Sequence, residues 1–133
     1  MSYQKLEQHQ QQLHRLSHLS AICGWDQAAM MPEGGNEARA EAMAELGVLI
    51  HGKRTAPELG DWIARAESEP LDATQRANLA EIKRHWQDAS LLPGELVEAL
   101  SLAGSKCEHA WRRQRKENDW AGFAPNLEEV VRL

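Results

Sequence analysis

Between Ser2 and Met30 the chain carries no proline, and no glycine before Gly24, while Leu6, Leu13, Leu16, Leu19, Ile22 and Cys23 recur at helical intervals. That spacing is the apolar stripe of an amphipathic helix. At about 1.5 Å per residue such a helix is about 40 Å long, so it has to run along the whole of any domain this chain forms. Its Gln-rich first two turns are expected to project or fray. The stop is abrupt. Pro32 pushes Met31 out of helical geometry, and Gly34 and Gly35 can take the positive φ that ends one helix and aims the next. Trp25, Met30 and Met31 put large apolar surface where an open loop carries Ser, Asn or Asp, which predicts a packed corner rather than a solvated turn.

Beyond the corner the pattern stays helical. Asn36 is a candidate N-cap with Glu37 favoured by the helix dipole. Ala40, Met43, Ala44, Leu46 and Ile50 then form one face, with Gly47 expected to admit a close neighbour, until the helix ends near His51-Gly52. Thr55-Ala-Pro-Glu58 reads as a capping box opening a short helix through Leu59, Trp62, Ile63 and Ala66, stopped by Ser68-Glu69-Pro70. Asp72 with Gln75 caps the next, whose inner face is Leu79, Ile82 and Trp86 (or His85), to about Ala89. After Leu91-Leu92, a second long helix runs from Pro93 to about Asn118 through Leu96, Val97, Leu100, Ala103, Cys107, Ala110 and Trp111, with Gly104 a weak spot or close contact. Pro125 is expected to start a last helix through Leu127, Val130 and Val131.

No segment alternates with period two, and β-branched residues are scarce, so the fold class is all-α: a compact bundle of about five to six helices, two of them long, with no sheet. No linker or repeat divides it, so residues 1–133 read as a single helical domain. A chain of this length can bury about two-thirds of its unfolded surface. Five of its seven aromatic residues are tryptophan. Trp25, Trp62, Trp86, Trp111 and Trp120 fall about one per helix, each a candidate anchor in a shared core. A net charge of −5 argues against nucleic acid and against an anionic membrane surface. The first twenty residues lack an apolar signal region, and no apolar run can span a bilayer, so a cytoplasmic protein is expected. Cys23 and Cys107 lack CxxC spacing and are expected as two buried, reduced thiols.

The corner, with Gly24-Trp25-Asp26, Met31-Pro32, Gly34-Gly35 and then Glu37-Ala38-Arg39, resembles the carboxypeptidase Taq family of metal-dependent carboxypeptidases. Glu117-Asn118-Asp119-Trp120, Phe123-Ala124-Pro125, Leu127-Glu128 and Val130-Val131 resemble a second family segment, in the same order and at the family's spacing. Trp25, Asp26, Met31, Pro32, Gly34, Gly35 and Arg39 are therefore the structural family motif. The resemblance implies an activity that removes C-terminal residues from peptides, using zinc or cobalt on a His-Glu-x-x-His helix with a further Glu downstream. A water on that metal would be polarised with help from the motif glutamate. This chain contains no such motif and looks like roughly the opening quarter of the enzyme. None of its residues is expected to be catalytic or to hold a metal or cofactor, and the first helices would border the substrate groove.

Other candidate chemistry is sparse. His14 and His18, at i,i+4, share a helix face and could hold zinc, but Arg15 stands where a zincin has its glutamate. A solvated polar face accounts for them more simply. Asp26 can be a buried acid, an intrahelical partner or a groove residue; the reading preferred here is a carboxylate bonded to the backbone of the turn, with Arg39 as its counter-ion, or Arg39 paired with Glu33 or Glu37. Arg112, Arg113, Arg115 and Lys116 make a basic cluster, yet Glu108 and Glu117 stand four residues from Arg112 and Arg113 and predict a salt-bridged helix face. No phosphate loop or nucleophile elbow is present. The chain is expected to be inactive by itself, with peptide as substrate only in the longer form. Its alternative role is as a non-catalytic module that self-associates as a dimer through exposed apolar helix faces.

Overall fold

A computed structural model describes residues 1–133. It contains six α-helices, α1 (Ser2–Ala29), α2 (Asn36–Arg54), α3 (Glu58–Ala66), α4 (Ala73–Ser90), α5 (Gly94–Glu117) and α6 (Trp120–Arg132), with a 3-10 turn at Glu33–Gly35 and no strand. The all-α class and the two long helices are as expected, α1 having 28 residues and α5 24. No helix is long and apolar enough to cross a membrane. Helix α1 packs on α2 and α3, α2 lies along α5, and α5 meets α6, while α4 rests on α2 and α3.

The main apolar cluster sits at one end of the molecule. Tyr3 and Leu6 of α1 meet Leu59, Ile63 and Ala66 of α3, Leu71 just before α4 and Leu79 within it. The first turns of α1 therefore neither project nor fray: Leu6 is fully buried. The reason is visible at the terminus. A helix start leaves unbonded N–H groups, and the carboxylate of Glu69, from the α3–α4 loop, accepts the N–H of Ser2 and, at 3.3 Å, that of Tyr3. Its negative charge also suits the positive end of the helix dipole.

Trp62 and Trp86 pack against this cluster. Gly60 makes room for the second, since a Cβ there would stand 3.2 Å from the Trp86 ring. The other tryptophans do not join a shared core. Trp25, Trp111 and Trp120 are 62%, 45% and 67% exposed. Gly47, expected to admit a close neighbour, faces open space, as does Gly104, which is therefore not a close contact. Of the two free cysteines Cys107 is buried and Cys23 only half-buried. The surface measures 8868 Å², against roughly 7,000 Å² for a closed monomer of this mass. Much apolar surface is thus left open.

Several helix boundaries move for identifiable reasons. The capping box of α4 is complete, Gln75 N–H donating to Asp72 Oδ1 at 2.8 Å and Asp72 N–H to Gln75 Oε1 at 3.0 Å. Thr55 does not cap α3; its hydroxyl donates to His51 O at 2.9 Å and closes α2 instead. Pro93 precedes α5 as its N-cap, with extended ψ. Pro125 lies inside α6, which starts five residues earlier, where Asp119 Oδ1 accepts the N–H of Gly122 at 2.9 Å. Replacing Glu69 by Ala should lower the free energy of unfolding by about 1–2 kcal/mol and Glu69→Gln by less, read from urea midpoints; an unchanged midpoint for Glu69→Ala would contradict this role.

Candidate functional site

The corner at the far end of α1 is where the sequence motif gathers. Helix α1 has no basic residue in its last turn, so its terminal carbonyls need donors from elsewhere. Two come from the turn itself. The main-chain carbonyl of Asp26 accepts the N–H groups of Met30, at 2.9 Å, and Met31, at 2.8 Å. The carboxylate of Asp26 does not bond the turn backbone, contrary to the preferred sequence reading. It pairs with Arg39 Nη2 at 2.6 Å, the expected counter-ion, both side chains being about two-thirds or more buried. Arg39 Nη1 also donates to Cys23 O at 3.0 Å, so one guanidinium from α2 grips both a side chain and a carbonyl of α1.

A second guanidinium completes the arrangement. Arg112 of α5 donates through Nη1 to Gln27 O at 2.7 Å, while Glu108 holds its Nη2 at 2.6 Å. The Glu108 pair was legible at i,i+4, but the tertiary contact was not; its only signal is the missing cation at the end of α1. Gln27 Nε2 adds a bond to Ser105 Oγ at 3.1 Å. Three helices therefore meet at one helix end through charged donors on carbonyls, among the stronger kinds of hydrogen bond.

Within the motif, Gly34 and Gly35 adopt no positive φ. The turn continues through the 3-10 segment into α2, with Gly35 and not Asn36 as the helix N-cap and no side-chain capping bond. Gly35 serves by smallness, because a Cβ there would stand 3.2 Å from Met31 Cγ. Pro32 is exposed and extended. Trp25 and Met30 also face outward, at 62% and 69% exposure, so the corner is pinned by charge and backbone bonds and its apolar side is open.

Elsewhere, an open cleft of about 820 Å³ lies beside α1, lined by His14, His51, His85, Arg54, Asp88 and Trp86 among others. His18 is not part of it. No group of three or more His, Cys, Asp or Glu side chains comes together to hold a metal ion, so the side chains of this chain do not fit the zinc or cobalt that the resemblance implies. Within the basic cluster Arg112 and Arg113 are salt-bridged as expected, to Glu108 at 2.6 Å and Glu117 at 3.8 Å. Two carboxyls are held below the usual range, Glu81 by hydrogen bonds from Arg84 and Glu129 by Arg132, and both stand on exposed faces away from the corner.

The family model of the carboxypeptidase Taq (M32) metallopeptidases matches residues 5–133. Thermostable carboxypeptidase 1 of Thermus thermophilus is 35% identical over 136 residues, a match covering 99% of this chain and 27% of that protein. Trypanosoma cruzi metallocarboxypeptidase 1 superposes with a TM-score of 0.74 at 39% identity, over 98% of this chain and 26% of its own. The BsuCP crystal structure, 20% identical, gives a TM-score of 0.92 over 98% of this chain and 27% of that one, which shows a shared fold. The chain spans about a quarter of the length of these relatives.

The corner geometry makes Arg39→Ala costly, by about 1–2 kcal/mol after allowing for partial solvent screening. A double-mutant cycle of Asp26→Asn with Arg39→Met should return a coupling of about 0.5–1 kcal/mol that shrinks with added salt. Strict additivity would show that the pair does not hold the corner.

Proposed function

The chain belongs to the carboxypeptidase Taq (M32) metallopeptidase family, and on that premise we propose that it forms the N-terminal helical part of a metal-dependent carboxypeptidase that releases C-terminal residues from peptides. The observation that carries this reading is a match along nearly the whole chain to relatives about four times its length. The donors for zinc or cobalt and the carboxylate that activates water come, in this reading, from the remainder of such a protein. This chain contributes shape. Residues 1–133 act as one helical domain, and the motif from Trp25 to Arg39 sets the angle between α1 and α2 and gives the remainder a rigid wall. A cytoplasmic location suits the two unpaired cysteines.

By itself the chain is then inactive. A C-terminal residue-release assay with added zinc or cobalt should show no turnover above blank; turnover that a chelator abolishes would overturn the reading.

A second reading, self-association as a non-catalytic module, is favoured by Leu19, Ile22 and Trp25 exposed along the second half of α1 and Met30 just past its end. It predicts a dimer at micromolar concentration in sedimentation equilibrium. A clean monomer at high concentration would sink it.

A further inference from the structure

The second sequence motif, from Glu117 to Pro125, builds a feature that the peptidase reading does not use. Helix α5 ends on Asn118 in the left-handed region, at φ 55°. The N–H groups of Asn118 and Asp119 both return to the main-chain carbonyl of Gln114. The chain then turns sharply into α6 and leaves a pocket of about 260 Å³ at the joint, walled by Trp111, Trp120 and Phe123, with Gln114 and Asp119 supplying polar atoms and Arg115 at its side. The Trp120 and Phe123 rings pack at 5.7 Å between centroids, tilted by 56°. Trp111 and Trp120 remain partly open to solvent.

Gln114 is the one buried polar residue of the chain, 7% exposed, and its Oε1 is the one buried side-chain polar atom without a hydrogen-bond partner. Such orphans are rare in folded proteins and call for a missing partner. The amide nitrogen lies beside Gly122, 2.9 Å from where a Cβ would stand, next to the Asp119 carboxylate. Glycine at this position leaves the space in which the amide and the carboxylate converge. Gln114 is one of the residues that line the pocket, so a molecule seated between the aromatic walls lies beside this unpartnered amide.

We propose that the α5–α6 joint is a binding pocket for a small planar aromatic molecule carrying one N–H or O–H donor, which stacks on the indoles and donates to Gln114 Oε1. The volume admits one or two fused rings; a 150 Å³ apolar cavity already accepts benzene. Aromatic walls supply affinity without direction, and the amide acceptor supplies the preference for a donor.

Indole and 1-methylindole, which differ in the donor and little else, separate these contributions. Titrated into the full chain and followed by amide chemical shifts, indole should perturb Gln114, Trp120 and Phe123 and bind about 5-fold more tightly than its methylated analogue. In Gln114→Met, which keeps the length of the side chain, the two ligands should bind alike while the remaining spectrum stays folded. Equal affinities in the unaltered chain, no perturbation at the joint up to the solubility limit, or a preference that survives in Gln114→Met would each overturn the proposal. Should Gln114→Met fail to fold, the comparison in the unaltered chain decides by itself.

Discussion

Two guanidinium groups seated on the carbonyl end of α1 hold this structure in its shape. A helix of 28 residues that stops at a proline leaves its last carbonyls without intrahelical donors, and this one has no lysine, arginine or histidine in its final turn. Arg39 reaches back from α2 to Asp26 and Cys23, and Arg112 reaches across from α5 to Gln27. Arg112 satisfies a terminal carbonyl and Arg39 holds a carboxylate and a carbonyl up to a turn earlier, and because each donor belongs to a different helix the two contacts also fix where α2 and α5 lie. The opposite end follows the same logic with the sign reversed, Glu69 accepting from the first amides of α1. The longest helix is thus held at both ends by charges from elsewhere in the chain, and the main buried apolar cluster lies at the Glu69 end.

Helix content, the two long elements and the Asp26–Arg39 pair were legible because each depends on residues close in sequence or on one strong period. The capping box at Asp72 and Gln75 was readable for the same reason. The identical pattern at Thr55 and Glu58 misled, since a hydroxyl can donate to the helix behind it as readily as accept from the one ahead, and here it donates to His51. Tryptophan spacing misled more deeply. Period says which residues share a face but not how fully another helix covers that face, and Trp25, Trp111 and Trp120 are left largely or partly uncovered. Arg112 was half-read: Glu108 beside it explained the charge locally and hid the longer reach. The role of Gln114 was invisible, because an unpartnered amide exists only once the α5–α6 joint is folded.

The open faces and the family membership bear on each other. The chain matches a quarter of its relatives' length and exposes more surface than a closed domain of its mass. Its charged groups set angles between helices, and no side-chain set fits the metal that the family's chemistry uses. On the proposed reading the division of labour is physical: polar clamps at helix ends make a stiff frame, and the exposed apolar flanks Leu19, Ile22 and Trp25 are surface for the remainder to cover.

Residue-resolved amide hydrogen exchange tests the clamped end of α1 most directly. The amides of Met30 and Met31, bonded to Asp26 O, should exchange as slowly as those in the middle of α2, and that protection should collapse when Arg39 and Arg112 are both replaced by Ala while the cluster around Leu6 stays protected. Fast exchange at Met30 and Met31 in the unaltered chain, or protection that survives the double replacement, would show that the corner is held by something else.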